Sequence, residues 1–330
     1  MRLLLIRHGE TEHNVAGLLA GSSDSRLTNH GLIQAQRLGT HLIKKRQLTF
    51  TQVFASDLQR AFRTAREICE AQIELYKDSQ LIPIALSLLR EQDFGSFELL
   101  PWNRSESARE ADPGPEDPDF KPKETAESLK LRADTFLDDY IIPLFALDEE
   151  SELTVAVVSH GLLLAALWKV LLLKFEPSCV YLGSEVLSST PRRPLEYMPA
   201  WSNTGFLELE VQRLPEINVE SQPPSRPGDP ISVTKLRATM KICTVNNKDH
   251  LTNLKRTRGG VGSSASDDKQ KRVDNFFRVT KLTPTTEMCA TKTKDQPTNL
   301  KRTRGGRGSN ASDDKQKRLE NFFKRPKTGT

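Results

Sequence analysis

The chain has 330 residues and a net charge of +5, but its two parts carry opposite charges. Residues 1–215 hold 23 basic and 31 acidic side chains (net −8), whereas residues 216–330 hold 25 and 12 (net +13). Only 27 of the last 115 residues are apolar, which is too few to bury a core and excludes two equal globular domains. We expect one acidic folded domain followed by a basic, disordered tail.

Cysteine usage and apolar run lengths argue against secretion and membrane insertion. The four cysteines form no CxxC pair, so neither a zinc site nor a disulfide framework is expected. The longest apolar stretch, 162–173, contains Lys169 and is shorter than the roughly 20 residues that a membrane span needs. The expected location is cytoplasmic, nuclear or both.

In chain order, apolar runs alternate with amphipathic segments over the first 215 residues. Short apolar runs predict strands, and i, i+3, i+4 spacing predicts helices. Strands that alternate with helices predict an α/β fold with three layers, in which a mostly parallel or mixed sheet has helices on both faces. The predicted strands lie at 2–7, 53–56, 153–159 and 206–211, and the predicted helices lie at 28–45, 58–71 and 162–173.

Proline-rich stretches and a repeat define the rest of the organisation. Residues 105–128 contain ADPGPEDPDF and predict a long loop or lid. We expect a folded domain at 1–215, a proline-rich linker at 216–241 and a disordered basic tail at 242–330. The tail carries a duplicated linear segment, because 252–277 and 298–323 are identical at 22 of 26 positions.

Three predicted strands end beside residues suited to phosphate chemistry. Arg7 and His8 close the first strand, Arg60 follows the second, and His160 follows the third. An α/β sheet usually places its ligand crevice at the carboxyl ends of its strands. Guanidinium groups match phosphate oxygens, and a neutral imidazole can attack phosphorus. The sequence therefore predicts a phosphoryl-transfer site at this edge of the sheet.

Such a reaction also needs a carboxylic acid that protonates the leaving oxygen. The stretch LREQDFG at 89–95 offers two candidates, Glu91 and Asp93. Arginines can stabilise the charge on the equatorial oxygens without a metal ion.

Six short motifs together carry a resemblance to a known family. Residues 1 to about 211 resemble the histidine phosphatase superfamily, in its phosphoglycerate mutase-like branch. The motifs occur in the family's order and with its usual separations. They are RHGETEHN at 7–14, LTNHGLIQA at 27–35, SDLQRAFRTA at 56–65, LREQDFGSFE at 89–98, ETAES at 124–128 and SHG at 159–161.

The resemblance implies roles for the matching residues and no metal or organic cofactor. His8 would be the nucleophile that becomes phosphohistidine. Glu91 would act as general acid and then as base, whereas Asp93 would be structural. The implied phosphoryl-binding residues are Arg7, Asn14, Arg60 and His160.

The implied reaction is hydrolysis of a small phosphate ester. Similarity to family members that hydrolyse sugar bisphosphates makes fructose 2,6-bisphosphate the leading example. A phosphoglycerate-type mutase is the alternative, although DFGSFE at 93–98 resembles the phosphatase members more. The excess of acidic residues in the loop at 96–130, where substrate identity is expected to lie, argues against a highly anionic substrate unless Arg104, Lys121 or Lys123 compensates.

Each copy of the tail repeat contains the pattern Q-x-x-Φ-x-x-F-F, which resembles the PCNA-interacting peptide (PIP box) that docks on the DNA sliding clamp. Flanking basic clusters suit a nuclear-localisation signal or a sequence-independent contact with nucleic acid. A clamp-binding interaction protein with a passenger phosphatase-like domain is therefore an alternative. The motif residues are Gln270, Val273, Phe276 and Phe277, then Gln316, Leu319, Phe322 and Phe323.

Overall fold

The structure is a computed structural model that describes most of the first 256 residues. All described residues belong to one compact unit, Met1–Arg272. The described residues exclude Arg104, most of the predicted linker and both tail motifs. The predicted disorder of the tail after residue 256 concerns residues that are also outside them. The described ranges are 1–103, 105, 112–145, 153–189, 195, 201–214 and 235–256.

A seven-stranded mixed sheet forms the middle of this unit. The strands are β1 (Arg2–Arg7), β2 (Gln52–Ser56), β3 (Ile84–Leu86), β4 (Thr154–Ser159), β5 (Val180–Leu182), β6 (Phe206–Arg213) and β7 (Ala238–Asn247). Their order across the sheet is β3-β2-β4-β1-β6-β7-β5. β1, β2, β3 and β4 run parallel, whereas β6 is antiparallel to both of its neighbours.

Helices connect the strands, and threonine side chains start several of them. Thr28 Oγ1 accepts a hydrogen bond from Gly31 N, and Thr125 Oγ1 accepts one from Ser128 N. None of the described helices is long and apolar enough to cross a membrane. The helices are α1 (Glu12–Ala16), α2 (Asn29–Thr40), α3 (Gln59–Leu75), α4 (Ala126–Phe136), α5 (Ile142–Phe145), α6 (Gly161–Leu173) and α7 (Ser184–Ser189).

Two apolar clusters lie on opposite faces of the sheet, because successive strand residues point to opposite sides. Leu3 and Leu5 of β1 pack into one cluster with side chains of α4 and α6. Leu4 and Ile6 pack into the other with side chains of α2 and α3. The predicted three-layer α/β fold is thereby confirmed.

The folded domain extends beyond residue 215, where the sequence placed its end. β7 pairs with β6 and β5, and its side chains Ala238, Met240 and Ile242 are buried. The predicted linker and tail therefore contribute an interior strand, next to the edge strand β5. Averaging the composition over 115 residues concealed the period-2 alternation of this short segment.

A short segment after β7 packs against the end of β1. His250, in the turn Asp249–Leu251, is buried, and its Nε2 lies 2.9 Å from Thr204 Oγ1. Thr204 N–H in turn donates to the carbonyl oxygens of Arg7 (3.0 Å) and His8 (3.2 Å). This C-terminal segment thus supports the backbone from which the predicted nucleophile projects.

Shortening the chain tests the new boundary. We expect a fragment of residues 1–256 to unfold cooperatively near the midpoint of the full chain. A fragment of residues 1–215 loses β7, and the burial of Met240 and Ile242 alone contributes about 3–6 kcal/mol. Urea unfolding followed by circular dichroism compares the two, and equal midpoints would show that β7 is dispensable.

Acid provides a second test of this region. Burial, with a smaller contribution from His41, lowers the pKa of His250 to about 3. In the unfolded chain a histidine titrates near 6.5, so its stabilising contribution is complete above that pH and is lost as the pH falls towards 3.

We therefore expect His250→Gln, which keeps a donor and does not titrate, to reduce the loss of stability between pH 7 and pH 5. The linkage relation makes this reduction about 2 kcal/mol. Urea unfolding of both proteins at the two pH values measures it. An equal loss in both would contradict the buried, neutral histidine.

Candidate active site

Three parallel strands bring the predicted catalytic residues to one edge of the sheet. Arg7 at the end of β1 is paired in register with Ser159 at the end of β4, so His8 and His160 follow side by side. Their rings lie 5.0 Å apart between centroids. Arg60 enters from the first turn of α3, directly after β2.

His8, the predicted nucleophile, is held as a neutral imidazole. Its side chain is buried, and its Nδ1 lies 2.7 Å from the carbonyl oxygen of Gly9. A carbonyl can only accept, so Nδ1 carries the proton and Nε2 keeps its lone pair. Burial, and then the charges of Arg7 and Arg60, hold the pKa of His8 well below its usual value.

Arg60 is almost fully buried, and main-chain oxygens hold its guanidinium group. Nη1 donates to the carbonyl of Ser23 (2.8 Å), and Nη2 donates to those of Ala20 (3.2 Å) and Gly21 (2.8 Å). Nε donates to His160 Nδ1 at 3.1 Å. Four of its five N–H groups are thus engaged, which leaves one Nη1–H and the positive charge for an anion.

Glu98 organises the loop that supplies those carbonyl oxygens. Its carboxylate accepts hydrogen bonds from the main-chain N–H groups of Gly21, Ser22, Ser23 and Phe94 at 3.0–3.2 Å. Burial alone would raise the pKa of Glu98, but these hydrogen bonds outweigh it and lower the pKa. Sequence analysis gave Glu98 no role, because its contacts with Gly21, Ser22 and Ser23 span more than 70 residues.

His160 presents an unused donor to the crevice. Its Nδ1 accepts from Arg60, so in the neutral ring the proton lies on Nε2. That nitrogen is buried without a hydrogen-bond partner. Burial, and then the neighbouring His8 and Arg60, lower the pKa of His160 well below its usual value, which keeps the ring neutral.

Arg7 presents a second unused donor. Its Nη1 donates to the carbonyl of Trp201 at 2.5 Å, whereas its buried Nε has no partner. Burial lowers the pKa of Arg7, and the charge of Glu91 opposes that shift. A buried donor without a partner costs free energy. The two unsatisfied N–H groups of Arg7 and His160 therefore suit an anion with several acceptor oxygens.

Asn14 lies beside His8 in a small amide network. Its Oδ1 accepts from Thr11 N (3.2 Å) and from Asn203 Nδ2 (3.0 Å), which leaves the Asn14 Nδ2 group as its remaining donor. Asn203 Nδ2 also lies 3.1 Å from the carbonyl oxygen of His8. Asn203 was missed in the sequence because nothing in its local pattern marks it.

Glu91 lies at the N-terminus of α6, where main-chain N–H groups point outward. Its Oε2 accepts from Leu162 N, and its Oε1 accepts from Leu163 N and Gln92 N, each at 3.0 Å. An ideal Cβ on Gly161 would lie 3.9 Å from Glu91 Oε2 and 4.0 Å from Arg7 Nε. The carboxylate and the unsatisfied guanidinium donor thus both border Gly161.

Asp93 has a structural position. Its Oδ1 accepts from Gly95 N at 2.7 Å, which stabilises the turn before Gly95–Phe97. Glu91 and Asp93 were the two candidates for the proton donor, and their positions in the structure differ. Glu91 borders the crevice, and Asp93 supports the adjoining loop.

Comparison with known proteins agrees with this geometry. The family model described as "Histidine phosphatase superfamily (branch 1)" matches residues 3–179. A probable phosphatase of Schizosaccharomyces pombe is 31% identical over 278 residues, which cover 83% of this chain and 78% of the relative. An adenosylcobalamin/alpha-ribazole phosphatase of Salmonella typhimurium is 41% identical over 99 residues, 30% of this chain and 44% of that relative.

Two further similarities complete the comparison. Fructose-2,6-bisphosphatase TIGAR B of Danio rerio is 36% identical over 138 residues, 41% of this chain and 51% of that relative. A solved structure of a mycobacterial hydrolase has a TM-score of 0.49 at 22% identity, with 74% of this chain and 98% of that chain covered. The Salmonella and Danio matches thus span less than two thirds of those relatives' lengths.

The family model covers more than half of the chain and includes every residue of the crevice from Arg7 to His160. The relative from Schizosaccharomyces pombe extends the similarity to most of the chain. The chain therefore belongs to the histidine phosphatase superfamily (branch 1) and is a phosphatase of that family.

Proposed function

We propose that the chain is a metal-independent phosphomonoesterase that transfers the phosphoryl group of a small phosphate ester to His8 and then to water. The observation that carries this proposal is the pair of unsatisfied donors, Arg7 Nε and His160 Nε2, beside an imidazole whose Nε2 lone pair is available. A phosphoryl group has both the acceptor oxygens and the electrophilic centre that this arrangement suits.

In the first step, His8 Nε2 attacks phosphorus and the bond from phosphorus to the ester oxygen breaks. Glu91 gives its proton to that oxygen, and the alcohol leaves. The donors of Arg7 and His160 and the charge of Arg60 stabilise the equatorial oxygens. Asn14 Nδ2 is the proposed fourth donor.

In the second step, water attacks the phosphohistidine. The bond from phosphorus to Nε2 breaks, and Glu91 takes the proton that water releases. Main-chain N–H groups at the start of α6 bind both carboxylate oxygens of Glu91 and so fix its position for this step. Proton delivery in the first step requires Glu91 to release one of these hydrogen bonds.

The substrate is proposed to be a small phosphate ester, with sugar bisphosphates such as fructose 2,6-bisphosphate as the leading class. The similarity to the Danio rerio fructose-2,6-bisphosphatase supports this choice. The similarity to an alpha-ribazole phosphatase makes nucleoside-like monophosphates the alternative. Transfer to a second hydroxyl in place of water would make the enzyme a mutase.

Removing the nucleophile tests the mechanism. We expect His8→Ala to lower turnover of p-nitrophenyl phosphate by about 10³-fold or more, because no other group can take the phosphoryl group. In the unaltered protein, rapid quenching with labelled substrate should trap an acid-labile, base-stable label, and a chelator should leave turnover unchanged. His30→Ala, which alters a histidine outside the crevice, is the control.

Substantial turnover by the His8 variant would refute the phosphohistidine route. The same assay extends to fructose 2,6-bisphosphate, alpha-ribazole phosphate and 3-phosphoglycerate. Fructose 2,6-bisphosphate should give the highest kcat/KM of the three substrates, and its turnover should release inorganic phosphate. Isomerised product in place of inorganic phosphate would favour the mutase.

The repeated tail motif favours a second function, which we propose as docking on the DNA sliding clamp. Each motif supplies one aliphatic and two aromatic anchors at helical spacing, with basic residues on either side. The 38 residues between the motifs have a coil reach of about 35 Å, enough for both to engage one multivalent ring. Every position that the family's catalytic pattern expects is filled, which favours an active enzyme that the tail recruits to the clamp over an inactive passenger domain.

A binding assay with purified clamp tests this proposal. We expect the full chain to bind, and alanine at Phe276, Phe277, Phe322 and Phe323 to weaken binding by at least about tenfold. Alanine at the two phenylalanines of one copy should give an intermediate affinity. Unchanged binding would exclude the docking motif, and retention on nucleic acid alone would assign the tail to that partner.

A further inference from the structure

We propose that Arg132, together with Glu124, is a positioning residue that holds the backbone of Glu91 and so places its carboxyl group for proton transfer. This inference rests on the proposed function, in which Glu91 is the proton donor. Neither side chain is placed against the reacting atoms, and their effect passes through the segment from Leu88 to Asp93, here called the acid loop.

Arg132 projects from α4 and binds the main chain of the acid loop. Its Nη1 donates to the carbonyl oxygens of Leu88 (2.8 Å) and Arg90 (3.0 Å). Its Nη2 donates to the carbonyl oxygen of Glu91 at 3.2 Å. One guanidinium group thus fixes three carbonyls, two that precede the proposed acid and that of Glu91 itself.

Glu124 fixes Arg132 in turn. Its Oε1 accepts from Arg132 Nε, and its Oε2 accepts from Arg132 Nη2, each at 2.8 Å. Burial raises the pKa of Glu124, but the hydrogen bonds and charge of Arg132 outweigh it, so that the pKa is lowered and the carboxylate stays ionised. All five N–H groups of Arg132 are therefore used, which a lysine with one ammonium group cannot reproduce.

The backbone of Glu124 holds the other end of the acid loop. Glu124 N donates to the carbonyl oxygen of Asp93 at 2.7 Å, and Gln92 Nε2 donates to the carbonyl oxygen of Glu124 at 2.6 Å. From β4, Ser159 Oγ donates to the carbonyl oxygen of Leu89 at 2.7 Å. The carboxyl group of Glu91 is thereby directed to the N-terminus of α6, beside the crevice.

Leaving-group dependence separates this role from general support of the fold. Protonation matters most for an alkyl phosphate, whose alkoxide is a poor leaving group, and least for p-nitrophenyl phosphate, whose phenolate is stable. A displaced Glu91 should therefore slow the transfer of the phosphoryl group to His8, measured as kcat/KM, far more for glycerol 2-phosphate than for p-nitrophenyl phosphate. Damage to the fold or to phosphate binding should slow both alike.

The experiment measures kcat and KM of the full chain for both phosphates. We expect Arg132→Lys and Glu124→Gln to lower kcat/KM for glycerol 2-phosphate by about 10–100-fold and kcat/KM for p-nitrophenyl phosphate by less than about threefold, because kcat/KM excludes the hydrolysis of the phosphohistidine that both substrates share. Glu91→Gln should give the same pattern more strongly. Arg66→Lys, which alters an exposed helical arginine paired with Glu70, should change neither.

The outcomes separate the two proposals. If Glu91→Gln shows the leaving-group pattern and both Arg132→Lys and Glu124→Gln lower the two rates equally or not at all, the positioning role is wrong. If Glu91→Gln itself shows no such pattern, the assignment of Glu91 in the proposed function fails instead. Thermal unfolding of each variant identifies one that does not fold, and the remaining variant of the pair then decides.

Discussion

Two guanidinium groups meet at the carboxyl edge of this sheet, and the surrounding structure compensates for their burial. A buried cation is stable only when dipoles or charges replace the water it has lost. Arg60 obtains this from three carbonyl oxygens and a histidine nitrogen, with Asp24 3.8 Å away. Arg7 obtains less, because one carbonyl binds it and its Nε is left without a partner. This missing partner of Arg7 Nε is the physical reason why we propose that an anion binds here.

Burial and the same two charges determine the protonation state of His8 and His160. Burial and positive charge lower the pKa of both His8 and His160, so both rings are neutral at physiological pH. One neutral ring then offers a lone pair and the other offers an N–H group, because their hydrogen bonds select different tautomers. Burial and nearby charge keep both rings neutral, and their hydrogen bonds then give the proposed nucleophile and the proposed anion donor different tautomers. Main-chain N–H groups at the N-terminus of α6 hold the carboxyl group of Glu91, whose charge acts on Arg7.

The sequence predicted what depends on strand ends and local motifs. His8, Arg60 and His160 each follow a buried apolar run, and parallel pairing necessarily brings such positions together. It did not predict Glu98, Asn203 or the position of the Arg132 guanidinium. Their roles arise from contacts between side chains and main chain over 40 to nearly 200 residues, which no local pattern encodes. β7 was missed for a different reason, since its alternation is short and was averaged into the polar composition of residues 216–330.

The central claim is that the Nδ1–H tautomer of His8 directs phosphoryl transfer to Nε2. Long-range proton–nitrogen NMR of the protein labelled at histidine, combined with phosphorus NMR of the trapped intermediate, measures both states. The account predicts a neutral His8 that is protonated at Nδ1 in the resting enzyme and phosphorylated at Nε2 during turnover. A proton on Nε2 at rest, or phosphorus bound to Nδ1, would contradict it.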